Sequence, residues 1–302
     1  MKFNLRNIAS YLIATIYINL GFIKRRQNKI LNEQIILSIY FHKPSKKMFE
    51  SCLFWLKKHG YIFISTNDIL EISNGQVAFP KNAVLVTIDD GWETNKVNVV
   101  EVGNALKIPV TLFITTNPME TGEPFWWSCV KEANKLGLTS NSVAYLKTIS
   151  NSDRIQLLNA IKNKISLKRE AMSPSELIEI AKSKYITIGS HTVNHPILTM
   201  CNDEESLFEI KESKSKLEHL LGSNVESFAY PNGDFSLREV NLLKKFGYKI
   251  AFTTAPHYIS ISNIYDNYTL PRFEILENCS LAENICRMTG VWYDIKLFKH
   301  NK

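Results

Sequence analysis

Short apolar runs rich in β-branched residues alternate along most of the chain with longer stretches whose apolar positions recur at helical spacing. The runs are Ile35–Phe41, Tyr61–Ser65, Val84–Ile88, Val110–Thr115, Ile186–Ser190, Ser227–Tyr230 and Ile250–Thr254, each of strand length. Between them Lys46–His59, Asn95–Lys107, Ser173–Lys182, Glu204–Leu221 and Leu237–Phe246 carry helical patterns. Alternation of this kind calls for a parallel sheet covered by helices. About seven such units suit a distorted, incomplete (β/α) barrel better than a small open sheet. Residues 117–172 break the rhythm with Pro124-Phe125-Trp126-Trp127 and a Lys-rich helical stretch, and read as an insertion over one loop. The expected organisation is an apolar, basic helix over 1–33, a barrel over 34–276 and a helical tail over 277–302.

In parallel α/β barrels the chemistry sits on the loops that follow the strands. His42 follows the first run, Asp89-Asp90-Gly91 the third, and His191-Thr192-Val193-Asn194-His195 the fifth. Pro231-Asn232-Gly233-Asp234 follows the sixth, and Pro271-Arg272 follows Tyr268–Leu270. The spacing of His191 and His195 lets both imidazoles point one way from a single helical turn. With a carboxylate they would make a two-His, one-carboxylate set, suited to zinc or another divalent first-row metal; the plainer reading is a pair of capping or surface histidines. Asp89 and Asp90 cannot both face one way from a regular strand, but a turn starting there can send one acid to a cation and leave the other beside a water. Two crowded carboxylates cost free energy unless a cation or an arginine offsets them, although Asp-Asp-Gly also ends ordinary strands.

Taken together these residues resemble the polysaccharide deacetylase family with the NodB homology domain, carbohydrate esterase family 4. Thr87-Ile88-Asp89-Asp90-Gly91 resembles its TFDDG motif, with Ile for Phe. His191 to Pro196 resembles its H-[ST]-x-x-H-P motif, and Phe228-Ala229-Tyr230-Pro231-Asn232-Gly233 the FAYPxG form found in the branch acting on poly-N-acetylglucosamine and related exopolysaccharides. Leu270-Pro271-Arg272 and Phe125-Trp126-Trp127 also recur in that branch. The resemblance spans residues 34–276. It implies a NodB-type barrel, a hydrolase that removes N-acetyl groups from amino sugars of a glycan, and a divalent ion, zinc foremost with Co, Ni, Mn or Fe as alternatives. Asp90, His191 and His195 would be the metal ligands and Asp89 the general base.

The sequence departs from the family in two places. Ala229 stands where the third motif usually carries an arginine that orients the base, and Arg272 is the natural replacement. The late Leu-x-His motif, source of the acid histidine, has no match at His257 or His300, which leaves His42 as the candidate acid or substrate contact. Asn232 takes the place of the family's oxyanion-binding Tyr through its backbone N–H. Tyr230 and Pro231 are expected to shape the acyl pocket, and Trp127 with Trp126 to stack on a pyranose or simply to fill core. Two other readings keep part of this picture: a deacylase of a lipid-linked or nucleotide-linked sugar, N-formyl included, and a glycan-binding relative without catalysis.

Composition narrows the class further. The 45% apolar and 22% charged fractions are those of a folded domain, excluding fibrous and disordered chains. Five scattered cysteines with no CxxC pair argue against a disulfide framework and against zinc–thiolate binding. There are 36 Lys and Arg against 29 Asp and Glu, and the resulting +7 contains no long run of like charge. It therefore reads as diffuse solvated surface, with nucleic acid not indicated. The apolar stretch Ile8 to Ile23, with Lys2 and Arg6 before it and Lys24-Arg25-Arg26 after, starts like a signal peptide but lacks a small-x-small cleavage site and holds Asn19. It is short for a bilayer-spanning helix. A helix lying on a membrane or packed on the domain fits as well, so a cytoplasmic or membrane-associated location is favoured over secretion.

Overall fold

The computed structural model describes residues 5–294. Seven strands run parallel: β1 (Ile35–Phe41), β2 (Ile62–Ile64), β3 (Ala83–Ile88), β4 (Val110–Ile114), β5 (Ile186–Ser190), β6 (Ser227–Ala229) and β7 (Ile250–Phe252). They curl in the order β7-β6-β5-β4-β3-β1, with β2 beside the first half of β3 where β4 leaves its edge free. Two short strands complete the sheet. β8 (Ile259–Ser260) lies antiparallel on the start of β1, and β9 (Phe273–Glu274) lies parallel on its second half. A parallel bridge from Phe252 to Leu270 ties the segment leading into β9 to β7, so residues 270–274 draw the two sides of the sheet together. The result is a distorted, incompletely closed (β/α) barrel.

Alternation along the strands builds two cores. Ile35, Leu37, Ile39, Val84, Val86, Ile88, Phe228 and Tyr230 face the surrounding helices. Ile36, Ala83, Leu85, Phe113, Ala229 and Phe252 face the barrel interior, as period-two side-chain placement requires. Four of the returning helices start on capping boxes, at Ser65/Asp68, Ser173/Glu176, Asn202/Glu205 and Ser236/Glu239. Between β4 and β5 the chain adds four helices, Thr116–Thr121, Trp126–Lys135, Val143–Leu146 and Asn151–Lys162, the last three sharing a small apolar cluster around Trp126, Val130 and Leu158. Residues 5–32 form two helices, and the Leu5–Asn19 helix packs on the Leu281–Met288 helix. Part of the expected 277–302 tail, and His300, lies outside the described residues.

The interior leaves no room for a side chain at Gly189 on β5. A Cβ there would lie 2.5 Å from the Phe113 ring and 2.6 Å from Ser227 Oγ. Gly189→Ala is expected to cost about 1–3 kcal/mol as the packed ring is forced aside, measured by denaturant unfolding.

Candidate metal centre

At the C-terminal ends of these strands, loops from most of the sheet meet around a cavity of about 770 Å³. Asp89 continues the inward-facing series Ala83, Leu85 and Thr87 of β3, and its backbone N–H still donates to Phe41 O (2.8 Å). The chain then reverses. Gly91 N–H donates to Asp89 O (3.0 Å) around Asp90, whose φ of 75° is left-handed. That turn is how adjacent acids take different directions.

Asp89 meets Arg272, the residue just before β9. The guanidinium donates to both carboxylate oxygens at 2.8 Å, to Thr87 Oγ1 (2.9 Å) and to Thr253 O (3.0 Å). Both side chains are buried, and the Tyr40 ring lies 4.5 Å from the guanidinium carbon, with Phe113 and Phe252 behind it. Burial alone would raise the Asp89 pKa. The charge and hydrogen bonds of Arg272 outweigh it and hold the carboxyl below its ordinary value.

Asp90 turns instead toward the two imidazoles. Its Oδ1 lies 3.6 Å from His191 Nε2 and 3.5 Å from His195 Nε2, while Oδ2 accepts from the Trp92 indole (2.9 Å). The segment from His191 to His195 is no helical turn, which corrects the spacing argument. Left-handed backbone at Thr192 (φ 67°) and His195 (φ 52°) brings the rings together, centroids 4.7 Å apart. The buried Glu209 clamps this loop, accepting from the N–H groups of Val193 and Asn194 and from the Asn194 side chain, each at 2.8 Å. Trp126 Nε1 (3.0 Å) and Arg154 (3.2 Å) both donate to His195 O.

These three residues fit a divalent cation. Asp90 Oδ1 is buried with no hydrogen-bond partner and faces two ring nitrogens, and the ligand atoms all lie within 4.8 Å of one another. His191 Nδ1 is 2.7 Å from Ala229 O, an N–H donation that leaves its Nε2 with a lone pair toward Asp90. Burial lowers the pKa of both histidines, at His191 against the pull of Asp89 and Asp90, and at His195 with His191 and Lys147 adding to the effect. The direction favours the neutral ring, the form that coordinates.

Of the other predicted residues, His42, Asn232 and Trp127 line the cavity. Burial works to lower the His42 pKa, but Asp90, Asp89, Glu274 and Glu277 together raise it. Trp127 stacks on Phe125 at 4.6 Å and meets His195 edge-on, also at 4.6 Å. Tyr230 and Pro231 do not line the cavity, which corrects their assignment to the acyl pocket. Tyr230 has the outward phase of β6: it is fully buried, donates from its hydroxyl to Tyr268 O (3.0 Å) and stacks on Phe235. Sequence reasoning missed Trp92, Tyr40, Glu274 and Lys147, which line the cavity, and Glu209 behind it. An indole two residues beyond Asp90 was a readable signal; Lys147, within the insertion, offered none.

The fold and site together define a hydrolase of carbon–nitrogen amide bonds carrying a two-His, one-Asp centre. The polysaccharide deacetylase family model matches residues 76–251, more than half of the chain, and the protein belongs to that family. It is 23% identical over 257 residues to the poly-beta-1,6-N-acetyl-D-glucosamine N-deacetylase of Staphylococcus aureus (strain MSSA476), covering 80% of this chain and 73% of that protein. Its fold matches the Streptococcus pyogenes deacetylase PplD in complex with acetate, with TM-score 0.61 and 18% identity over 84% of this chain and 98% of that one. It matches IcaB from Ammonifex degensii with TM-score 0.60 and 17% identity over 84% and 97% of the two chains.

Removing one member of the Arg272–Asp89 pair strands the other in the barrel. Arg272→Met is expected to lose about 3–5 kcal/mol of unfolding free energy, and Arg272→Lys to recover only part of it, because an ammonium cannot hold both oxygens. The acid dependence follows from the direction of the Asp89 shift. Its folded pKa lies below the ordinary 3.8, so the pair's contribution is complete above that value and is lost as pH falls through the lower folded one. Urea unfolding from about pH 5 down to about pH 2 should show a shallower acid limb in Asp89→Asn than in the wild type.

Proposed function

We propose that this protein removes N-acetyl groups from a poly-N-acetylglucosamine glycan by hydrolysis, releasing acetate and leaving free amines. The observation that carries the reading is the unpartnered Asp90 Oδ1 facing the Nε2 atoms of two imidazoles, with a second acid held by Arg272 beside it. Similarity to the staphylococcal enzyme supports the choice of sugar. Nothing in the site favours the nucleotide-linked or non-catalytic alternatives.

Asp90, His191 and His195 would hold the metal, with zinc the leading choice. A divalent ion there supplies Lewis acidity, which lowers the pKa of a coordinated water and polarises the acyl oxygen. Asp89, kept ionised and oriented by Arg272, takes the proton from the attacking water. The N–H of Asn232, on a backbone turned left-handed (φ 60°), is the donor for the tetrahedral oxyanion. His42, its proton favoured by the surrounding carboxylates, protonates the departing nitrogen, which cannot leave as an anion. The half-buried Lys147 donates to Asn232 Oδ1 (2.7 Å) and steadies that loop. Trp127 offers an aromatic wall to the sugar ring.

The test is acetate release from β-1,6-linked N-acetylglucosamine oligomers. Activity is expected to vanish with EDTA and to return on adding Zn²⁺ or Co²⁺. Asp89→Asn should lower kcat by about 10²–10⁴-fold with metal content unchanged, whereas Asp90→Asn should lose the metal itself. His42→Ala should flatten the basic limb of the pH–rate profile. Acetate release that persists after complete chelation would overturn the reading.

A further inference from the structure

The net charge is not diffuse. Residues 1–32 contain six Lys and Arg and no Asp or Glu, while the other 270 residues carry 30 Lys and Arg against 29 Asp and Glu. Six of the seven net charges thus belong to the segment whose described part forms the Leu5–Asn19 and Phe22–Asn32 helices. The first of these helices is apolar on both sides. Its packed face buries Ser10 and Ala14, with Cys286 Sγ against Ala14 O and Ile13, Tyr17 and Ile18 partly buried against the core. Its opposite face is large and apolar: Leu5, Ile8, Leu12 and Ile16 recur every three or four residues, with Leu20 just beyond, exposed by 41–85%. A helix on a water-facing surface exposes polar residues on its outer face instead.

Cations follow this helix in the chain. Lys24, Arg25 and Lys29 are exposed on the second helix, Lys29 within 3.7 Å of the equally exposed Glu33, whereas Arg6 and Arg26 are engaged by Glu283 and Asp294. Tyr17, Phe22, Arg25, Arg26 and Lys29 line a crevice of about 410 Å³ that also holds Asp294, which pairs with Arg26, so the aromatic setting keeps a basic excess suited to an anionic headgroup. Among the described residues no helix is long and apolar enough to cross a membrane. An apolar face of this kind flanked by cations suits the plane of the interface.

We infer that the outer face of the Leu5–Asn19 helix, with Lys24, Arg25 and Lys29, docks the protein on an anionic phospholipid bilayer. The apolar stripe lies at the boundary of the acyl chains and the cations at the level of the phosphates. Docking also orients the enzyme. Arg6 shares a small crevice with His42, Glu274 and Glu277, all of which border the catalytic cavity, so the start of the helix abuts the mouth and sets it beside the lipid surface. The inference concerns attachment and holds whichever glycan is the substrate.

Vesicle flotation of the full chain tests it. Binding is expected to liposomes of phosphatidylcholine with about one third phosphatidylglycerol, weaker binding to phosphatidylcholine alone, and release as salt rises. Leu12→Glu with Ile16→Glu should cut binding at least tenfold, and Lys24→Glu with Arg25→Glu by more than about fivefold per charge removed. Both pairs are exposed, so unchanged thermal unfolding and unchanged acetate release from soluble oligomers are expected in each. Wild-type protein that stays with the unbound fraction on anionic vesicles would overturn the inference. So would a Leu12→Glu, Ile16→Glu protein that floats as well as the wild type, or light scattering showing a dimer through this face with no lipid binding.

Discussion

The site depends on one buried ion pair. A guanidinium and a carboxylate taken out of water carry a large desolvation cost, and Coulomb attraction offsets it only when the geometry is good and further hydrogen bonds are made. Arg272 places four of its five N–H groups, two on Asp89 and one each on Thr87 and Thr253, with aromatic faces around its plane. The pairing fixes Asp89 as an anion of set direction. Asp90, one residue on, is left free to face the imidazoles. Two neighbouring acids thereby acquire opposite tasks, one held by an arginine and one presented to a cation.

The loops that carry the ligands are strained and braced. Of six non-glycine residues with left-handed backbone among the described residues, Asp90, Thr192, His195 and Asn232 belong to the catalytic loops. Such conformations cost about 1–3 kcal/mol each and persist only where surrounding contacts over-determine them. Here the contacts come from behind: Glu209 and Arg154 grip the histidine loop, Trp92 holds Asp90 and the Ala229 carbonyl sets the His191 tautomer. A mount built this way keeps ligand positions nearly fixed before any ion arrives, which limits the reorganisation that binding must overcome.

The strands were legible because their apolar runs are continuous and β-branched: the observed bounds of β1 and β5 are those read from the sequence. Their places after strands put the acids and imidazoles on one face, and the family resemblance singled out Asp90 with His191 and His195. What local pattern could not reach was the means of convergence. An HxxxH spacing suggests a helical turn, but Thr192 and His195 adopt left-handed backbone that only the Glu209 clamp explains. Tyr230 was misplaced because a residue at a strand end is judged by proximity in sequence, whereas the pleat had already assigned it to the outer layer. Likewise, charge judged by runs of like sign missed an imbalance set by the absence of acids from the first helices.

The seam of the barrel has a consequence for biosynthesis. Asp89 emerges early, but its counter-charge lies 183 residues further along, on the segment that links β7 to β1. A growing chain can lay down β1 through β7 and both histidines while the acid still lacks its partner. The proton-accepting group is paired only when residues 270–274 dock, so the site is completed by a contact between parts of the chain far apart in synthesis.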